Sequence, residues 1–188
     1  GTFEKSPFFL KKVRSISLLC RSRQNNRMKK NKLIAPFLKW VGGKRQLMPA
    51  INELLPKKYS TYYEPFVGGG AVLFEIQPKK AIINDFNSEL VNTFNVIKNN
   101  PEELIADLKT HINESEYFYN LRALDRQEGF DQLSNIKKAS RVIYLNKTCY
   151  NGLYRVNNSG EFNSPFGKYK NPNIVNDVTI RAVSKYFN

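Results

Sequence analysis

Three consecutive glycines, Gly68-Gly69-Gly70, follow Tyr62-Tyr63-Glu64-Pro65-Phe66-Val67 and constrain the fold more than any other stretch of the chain. Ser60 to Tyr63 are strand-prone, and the glycines after them require a sharp backbone turn. Ala71-Val72-Leu73-Phe74 then resumes an apolar run that can enter a helix or close against a sheet. A strand that ends in an acid and then glycines brings bare backbone to the carboxyl edge of a sheet, where ligands bind. A second apolar run, Ala81-Ile82-Ile83, ends at Asn84-Asp85. Asp85 lies 17 positions after Gly68, near the spacing of ~20 at which dinucleotide-binding units present a carboxylate to ribose hydroxyls. A tight loop accounts for the glycines alone equally well. The turn and the spaced acid together point to a nucleoside-bearing cofactor.

The formal net charge of +14 favours a polyanionic partner, but it is unevenly spread. Residues 1–33 hold ten Lys or Arg against Glu4 alone, so the remaining chain carries only +5. Residues 1–33 read as a basic leader outside the folded domain, disordered or foreign to it. The acid-free, Ser- and Arg-rich run from Lys5 to Arg27 imitates a transit peptide, and Met28 reads as an ordinary start. Cys20, Cys149 and the single His111 make neither a disulfide framework nor a zinc site, and no metal is expected. His111 reads as a surface or cap residue. No apolar run approaches the ~20 residues that span a bilayer.

Pro36 to Arg45 contains Trp40-Val41-Gly42-Gly43-Lys44, which invites comparison with a phosphate-binding loop. Leu38 stands where that motif needs its first glycine and Arg45 where it needs a hydroxyl, so a nucleotide triphosphatase is rejected. Trp40 beside two glycines and Lys44, opening a helix from about Lys44 to Leu55, suits a carboxylate or an aromatic ring. Further helices are expected over Glu89–Lys98 with an Asn87-Ser88 cap, from Pro101, over Ile136–Thr148, and over Thr179–Phe187. Tyr150 to Asn171 sets aromatic runs around Asn157-Asn158-Ser159-Gly160, as a β-hairpin does. Its Arg155, Lys168 and Lys170 among Asn and aromatic side chains suit base-edge contacts and stacking, or simply a solvated basic surface.

Four separated motifs, taken in order, resemble the Dam-type DNA adenine-N6 methyltransferases: Phe37 to Lys44, Glu64 to Gly70, Asn84-Asp85-Phe86-Asn87, and Tyr150 to Arg155 with Phe162 to Tyr169. The resemblance runs from about residue 34 to the end. It implies an α/β, Rossmann-like S-adenosylmethionine-dependent fold, incomplete here, with an inserted helical and β-hairpin DNA-recognition region. Residues 34–99 would be the first part of the cofactor domain, 100–175 the target-recognition region with its hairpin at about 150–171, and 176–188 the return toward a catalytic part.

By position, the resemblance assigns S-adenosylmethionine to Trp40, Lys44, Glu64, Phe66, Gly68, Gly69, Gly70 and Asp85. It assigns duplex DNA to Tyr150, Asn151, Leu153, Arg155, Pro165, Lys168 and Tyr169. Lys168 stands where many relatives carry Arg, and a lysine cannot fork onto a guanine edge, so a phosphate contact is expected there. The implied reaction is methyl transfer to adenine N6 in a short site such as GATC, for genome marking or for protection against a restriction endonuclease of the same specificity. A monomeric cytoplasmic prokaryotic protein is the expected context. The family's Asp-Pro-Pro-Tyr occurs nowhere in the 188 residues, so no catalytic residue is named and the chain alone is expected to be inactive. A DNA-binding remnant without activity is the alternative, and an RNA or small-molecule methyltransferase a weaker one.

Overall fold

The computed structural model describes residues 30–188; residues 1–29 of the expected basic leader (1–33), with Cys20 and the expected start at Met28, lie outside the described residues. Two short parallel strands, β1 (Tyr62–Glu64) and β2 (Ala81–Ile83), pair in register with Tyr62 opposite Ala81 and Glu64 opposite Ile83. Helix α2 (Ala71–Ile76) connects them, so the unit is a strand–helix–strand crossover of the kind that parallel pairing demands. The chain is therefore a mixed α/β structure with a small parallel sheet.

Helix α1 (Met48–Leu54) is preceded by one tighter turn, Lys44–Leu47, rather than running as a single helix from Lys44. Pro49 explains the break, because it has no N–H to donate to Arg45. Helix α3 (Ser88–Asn99) starts where Asn87 Oδ1 accepts the N–H of Leu90 at 2.8 Å, and it stops ahead of Pro101. Pro101 opens α4 (Pro101–Leu108), where a missing N–H costs nothing. Helices α5 (Ser115–Ala123), α6 (Asn135–Thr148) and α7 (Asp177–Phe187) follow; Ser134 and Asn176 cap the last two through their side-chain oxygens.

Apolar faces of α2, α3, α4, α6 and α7 close on one core that includes Leu73, Phe74, Leu90, Phe94, Ile97, Leu104, Leu108, Val142, Ile143, Ile180 and Val183. Phe37, from the segment before Trp40, meets Phe94 edge-on at 5.0 Å, which fastens that segment to α3. Each such side chain contributes about 1.5–3 kcal/mol on burial. A second cluster, Phe118, Tyr144, Leu145, Cys149 and Phe162, lies beneath the loop that follows α6.

That loop is closed at two points and not along a continuous ladder. Antiparallel bridges join Cys149 to Phe166 and Val156 to Phe162. Between them the chain makes a tight turn at Tyr150–Gly152, with Asn151 at φ 56°, and Ser164 Oγ donates to Leu153 O. The expected hairpin over 150–171 is thus corrected to a short tip and a base, with 168–171 outside the pairing. Pro165 lacks an N–H for a ladder, and the left-handed Asn151 cannot extend one. His111 is also corrected. It is a buried side chain whose ring nitrogens lie 2.6 Å from Tyr117 OH and 2.9 Å from Ser140 Oγ, and burial holds its imidazole below the ordinary 6.5.

Candidate functional site

β1 ends on Glu64, β2 is followed two residues later by Asp85, and the loops after the two strands are tied together. Asn84 N–H donates to Glu64 O and Val67 N–H to Asn84 O, each at 2.9 Å, which carries the strand pairing into the loops. Asp85 then completes the tie: Oδ2 accepts the Gly68 N–H at 2.8 Å and Oδ1 the Asn87 N–H at 3.0 Å. The spacing of 17 residues seen in the sequence is therefore a direct contact.

A cavity of about 450 Å³ opens beside this tie, walled by Leu38 to Arg45 on one side and by Phe66 to Gly69, Ala71 and Asp85 on the other. Of the eight residues assigned to the cofactor, Trp40, Lys44, Phe66, Gly68, Gly69 and Asp85 line it, whereas Glu64 and Gly70 do not. Lys44 Nζ bridges to Glu64 Oε1 at 2.8 Å and donates to Phe66 O at 2.6 Å. This pins the two walls to each other at one end. Glu64 is buried, and among the described residues its Oε2 has no hydrogen-bond partner.

The glycines have an intramolecular reason that the sequence did not disclose. A Cβ on Gly68, whose φ is +51°, would lie 3.0 Å from Trp40 Cδ1, and one on Gly70 only 2.6 Å from the Phe74 ring. The turn is bare because Trp40 and Phe74 pack onto it. The platform expected of Trp40 also has one face already taken, since its indole stacks on Tyr154 at 4.7 Å and 25°.

Two residues that carried no local signal hold this arrangement. Asn146, buried in α6, accepts the Lys39 N–H at 2.9 Å and donates to Lys39 O at 2.8 Å and to Gly152 O at 3.0 Å. Arg141, 1% exposed, reaches Glu89 at 3.3 Å, Asp125 at 2.7 Å and the carbonyls of Leu121 and Arg122. Apart from Gly152, their partners are remote in sequence, and only a polar residue on an otherwise apolar helix face could have hinted at them. Burial and the Glu89 carboxylate push the Tyr154 phenol far up, so it remains a proton donor to Glu89 Oε2 at 2.7 Å. Cys149 is a buried free thiol pushed up to about 11 by its burial, which makes it inert as a nucleophile.

The seven residues assigned to DNA, Tyr150, Asn151, Leu153, Arg155, Pro165, Lys168 and Tyr169, are all exposed, while Gly152, Phe162 and Ser164 between them are buried. Tyr169 OH accepts the Asn151 N–H at 3.0 Å, joining the two ends of the loop. Arg155 Nε donates to Asn163 Oδ1 at 2.9 Å across the tip. Among the described residues no group of three or more His, Cys, Asp or Glu could hold a metal ion, and no helix is long and apolar enough to cross a membrane.

A family model described as D12 class N6 adenine-specific DNA methyltransferase matches residues 40–188. The chain is 49% identical over 166 residues to the Type II methyltransferase M1.LlaDCHI of Lactococcus lactis subsp. cremoris, across 87% of this chain and 58% of that relative. It is 43% identical over 170 residues to the Type II methyltransferase M.MjaIII of Methanocaldococcus jannaschii, across 81% and 58% of the two chains. It is 40% identical over 149 residues to the DNA adenine methylase of Serratia marcescens, across 77% and 52%. The chain thus spans between about half and three-fifths of the length of these curated relatives.

Proposed function

Since the chain belongs to the D12 class N6 adenine-specific DNA methyltransferases, we propose that it supplies the cofactor cleft and the target-reading loop for methyl transfer to adenine N6 in duplex DNA. S-adenosylmethionine is the proposed cofactor, on a Rossmann-like sheet of which β1 and β2 are part. When bound, it supplies an electrophilic methyl group with a good leaving group already attached. The chain's own task is then alignment and exclusion of water.

The observation that carries this reading is the cleft at the carboxyl ends of two parallel strands, where Trp40, Lys44 and Asp85 converge from three separated motifs. Its donor set suits the proposed cofactor. Asp85 keeps lone pairs for ribose hydroxyls beyond the two N–H groups it accepts. On the DNA side, Arg155 is proposed to read a guanine edge and Lys168 to meet phosphate, in a site such as GATC. The tetrad Asp-Pro-Pro-Tyr, which in this reading holds the adenine amino group and stacks on the base, is absent from the 188 residues. The names of the Type II relatives favour a role beside a restriction endonuclease.

Calorimetry with S-adenosylmethionine and fluorescence anisotropy with a GATC-containing duplex test the reading on the 188-residue chain. Saturable binding of both is expected. Binding of DNA with no cofactor binding would favour the remnant instead.

A further inference from the structure

We propose that Tyr154 is a positioning residue through which occupancy of the cleft and engagement of the 150–166 loop alter one another's affinity. This rests on the cofactor and DNA reading above. The indole of Trp40, a cleft residue, is held between two surfaces: the glycine turn, which it touches at Gly68 and Gly69, and the Tyr154 ring. A ligand entering the cleft meets Trp40, and displacing the indole disturbs its stack on the phenol.

The phenol is not free to follow. Its hydroxyl donates to Glu89 Oε2 at 2.7 Å, Glu89 Oε1 receives Arg141 at 3.3 Å, and Arg141 reaches Asp125 Oδ2 at 2.7 Å. That same Asp125 oxygen accepts the Phe162 N–H at 2.7 Å, on the far arm of the loop. A continuous series of contacts therefore runs from the glycine turn through Tyr154 to the loop tip, and the Tyr154 ring also meets Phe162 edge-on at 5.4 Å. The neighbouring pocket residue has its own link, since the Asn146 amide bonds the Lys39 backbone and Gly152 O together.

The chemistry of the series argues for orientation and not for stability alone. Burying Arg141 with two carboxylates carries a desolvation cost that well-packed apolar side chains would avoid while holding the helices at least as well. What an ionic series adds is fixed direction: every carboxylate oxygen named has an assigned donor. Displacing Phe162 as DNA engages the loop would be felt at Tyr154, and displacing Trp40 as the cleft fills would be felt at Phe162.

Trp40 is the single tryptophan of the chain, so its emission reports the stack on Tyr154 directly. The test titrates the full chain with S-adenosylmethionine, with and without a saturating GATC-containing duplex, following Trp40 emission, and repeats the duplex titration in both conditions. In the wild-type protein each ligand should change the affinity of the other by about fivefold or more, by the same factor in both directions. Tyr154→Phe keeps the stack on Trp40 and the edge contact with Phe162 and removes the hydroxyl, with its bond to Glu89 and its interaction with Asn87. It should lower that factor by about twofold or more, and Glu89→Gln, which weakens the next link, should also lower it. If the wild-type factor is already unity, or if both variants keep it whole, the inference is overturned while the functional reading stands on the two separate affinities. If the wild-type chain binds neither ligand, the functional reading itself fails and this inference with it.

Discussion

Replacing Asp85 by alanine should cost both stability and cofactor affinity, and the structure gives the two magnitudes separately. Its carboxylate accepts the Gly68 N–H at 2.8 Å and the Asn87 N–H at 3.0 Å, tying the turn after β1 to the turn after β2. Hydrogen bonds to a charged partner contribute about 1.5–3 kcal/mol each. Water can reach this half-buried site, so the sum falls to about 2–4 kcal/mol. At about 2–4 °C per kcal/mol for a domain of this size, the melting temperature should drop by about 4–16 °C. Two ribose hydroxyls on the remaining lone pairs would add about 1.5–3 kcal/mol of binding, which is about 10- to 150-fold in Kd. Asp85→Asn is the informative companion. Its amide offers one acceptor to two N–H donors and turns an NH2 toward the other, so it should lose nearly as much stability as alanine. Thermal denaturation followed by circular dichroism reads the first effect and calorimetry at a temperature where all variants are folded reads the second. A melting temperature within about 2 °C of wild type in both variants would refute Asp85 as the tie. A full loss of stability with unchanged affinity would refute its role toward ribose.

Arg141→Met should destabilise by about 3–5 kcal/mol, because it leaves two carboxylates and two carbonyls without their buried donor; urea unfolding measures it, and a loss under 1 kcal/mol would contradict the network. His111 is held below its ordinary value chiefly by burial, against the opposing pull of Asp107. Its folded form therefore takes up a proton less readily than the unfolded chain, so stability is full above about pH 6.5 and declines as pH falls toward 5, with a slope of at most ~1.4 kcal/mol per pH unit per proton. His111→Gln should remove that part of the slope; urea midpoints at pH 7, 6 and 5 that are flat in the wild type would contradict it. Arg155→Ala should weaken a GATC duplex by about 1–3 kcal/mol more than a scrambled one, whereas Lys168→Ala should weaken both alike and lower the salt slope by about one. Salt titrations on both duplexes decide, and equal losses for Arg155→Ala would make it a backbone anchor.

What the sequence disclosed and what it concealed divide by range. The glycine turn, the spacing to Asp85, the Asn87 cap and the stop before Pro101 are local signals, and each corresponds to a contact or boundary in the structure. The hairpin was legible as a turn between aromatic runs, but its pairing was overestimated because Asn151 and Pro165 interrupt a ladder in ways composition does not show. Hidden altogether were Asn146 bonding Lys39 and Tyr154 bonding Glu89, separated by 107 and 65 positions. His111 was misjudged for the same reason: its partners Tyr117 and Ser140 come from two different helices. The glycines of the turn were read for a ligand's sake, and part of their cause is Trp40 and Phe74.

Hydrogen exchange of the 188-residue chain, with and without S-adenosylmethionine, tests most directly whether the cleft is the cofactor site. Slowed exchange is expected in the two walls, residues 38–45 and 66–69, and in the turn at 84–87 that Asp85 ties to them. Protection elsewhere with these segments unchanged, under conditions where calorimetry shows saturation, would contradict the account.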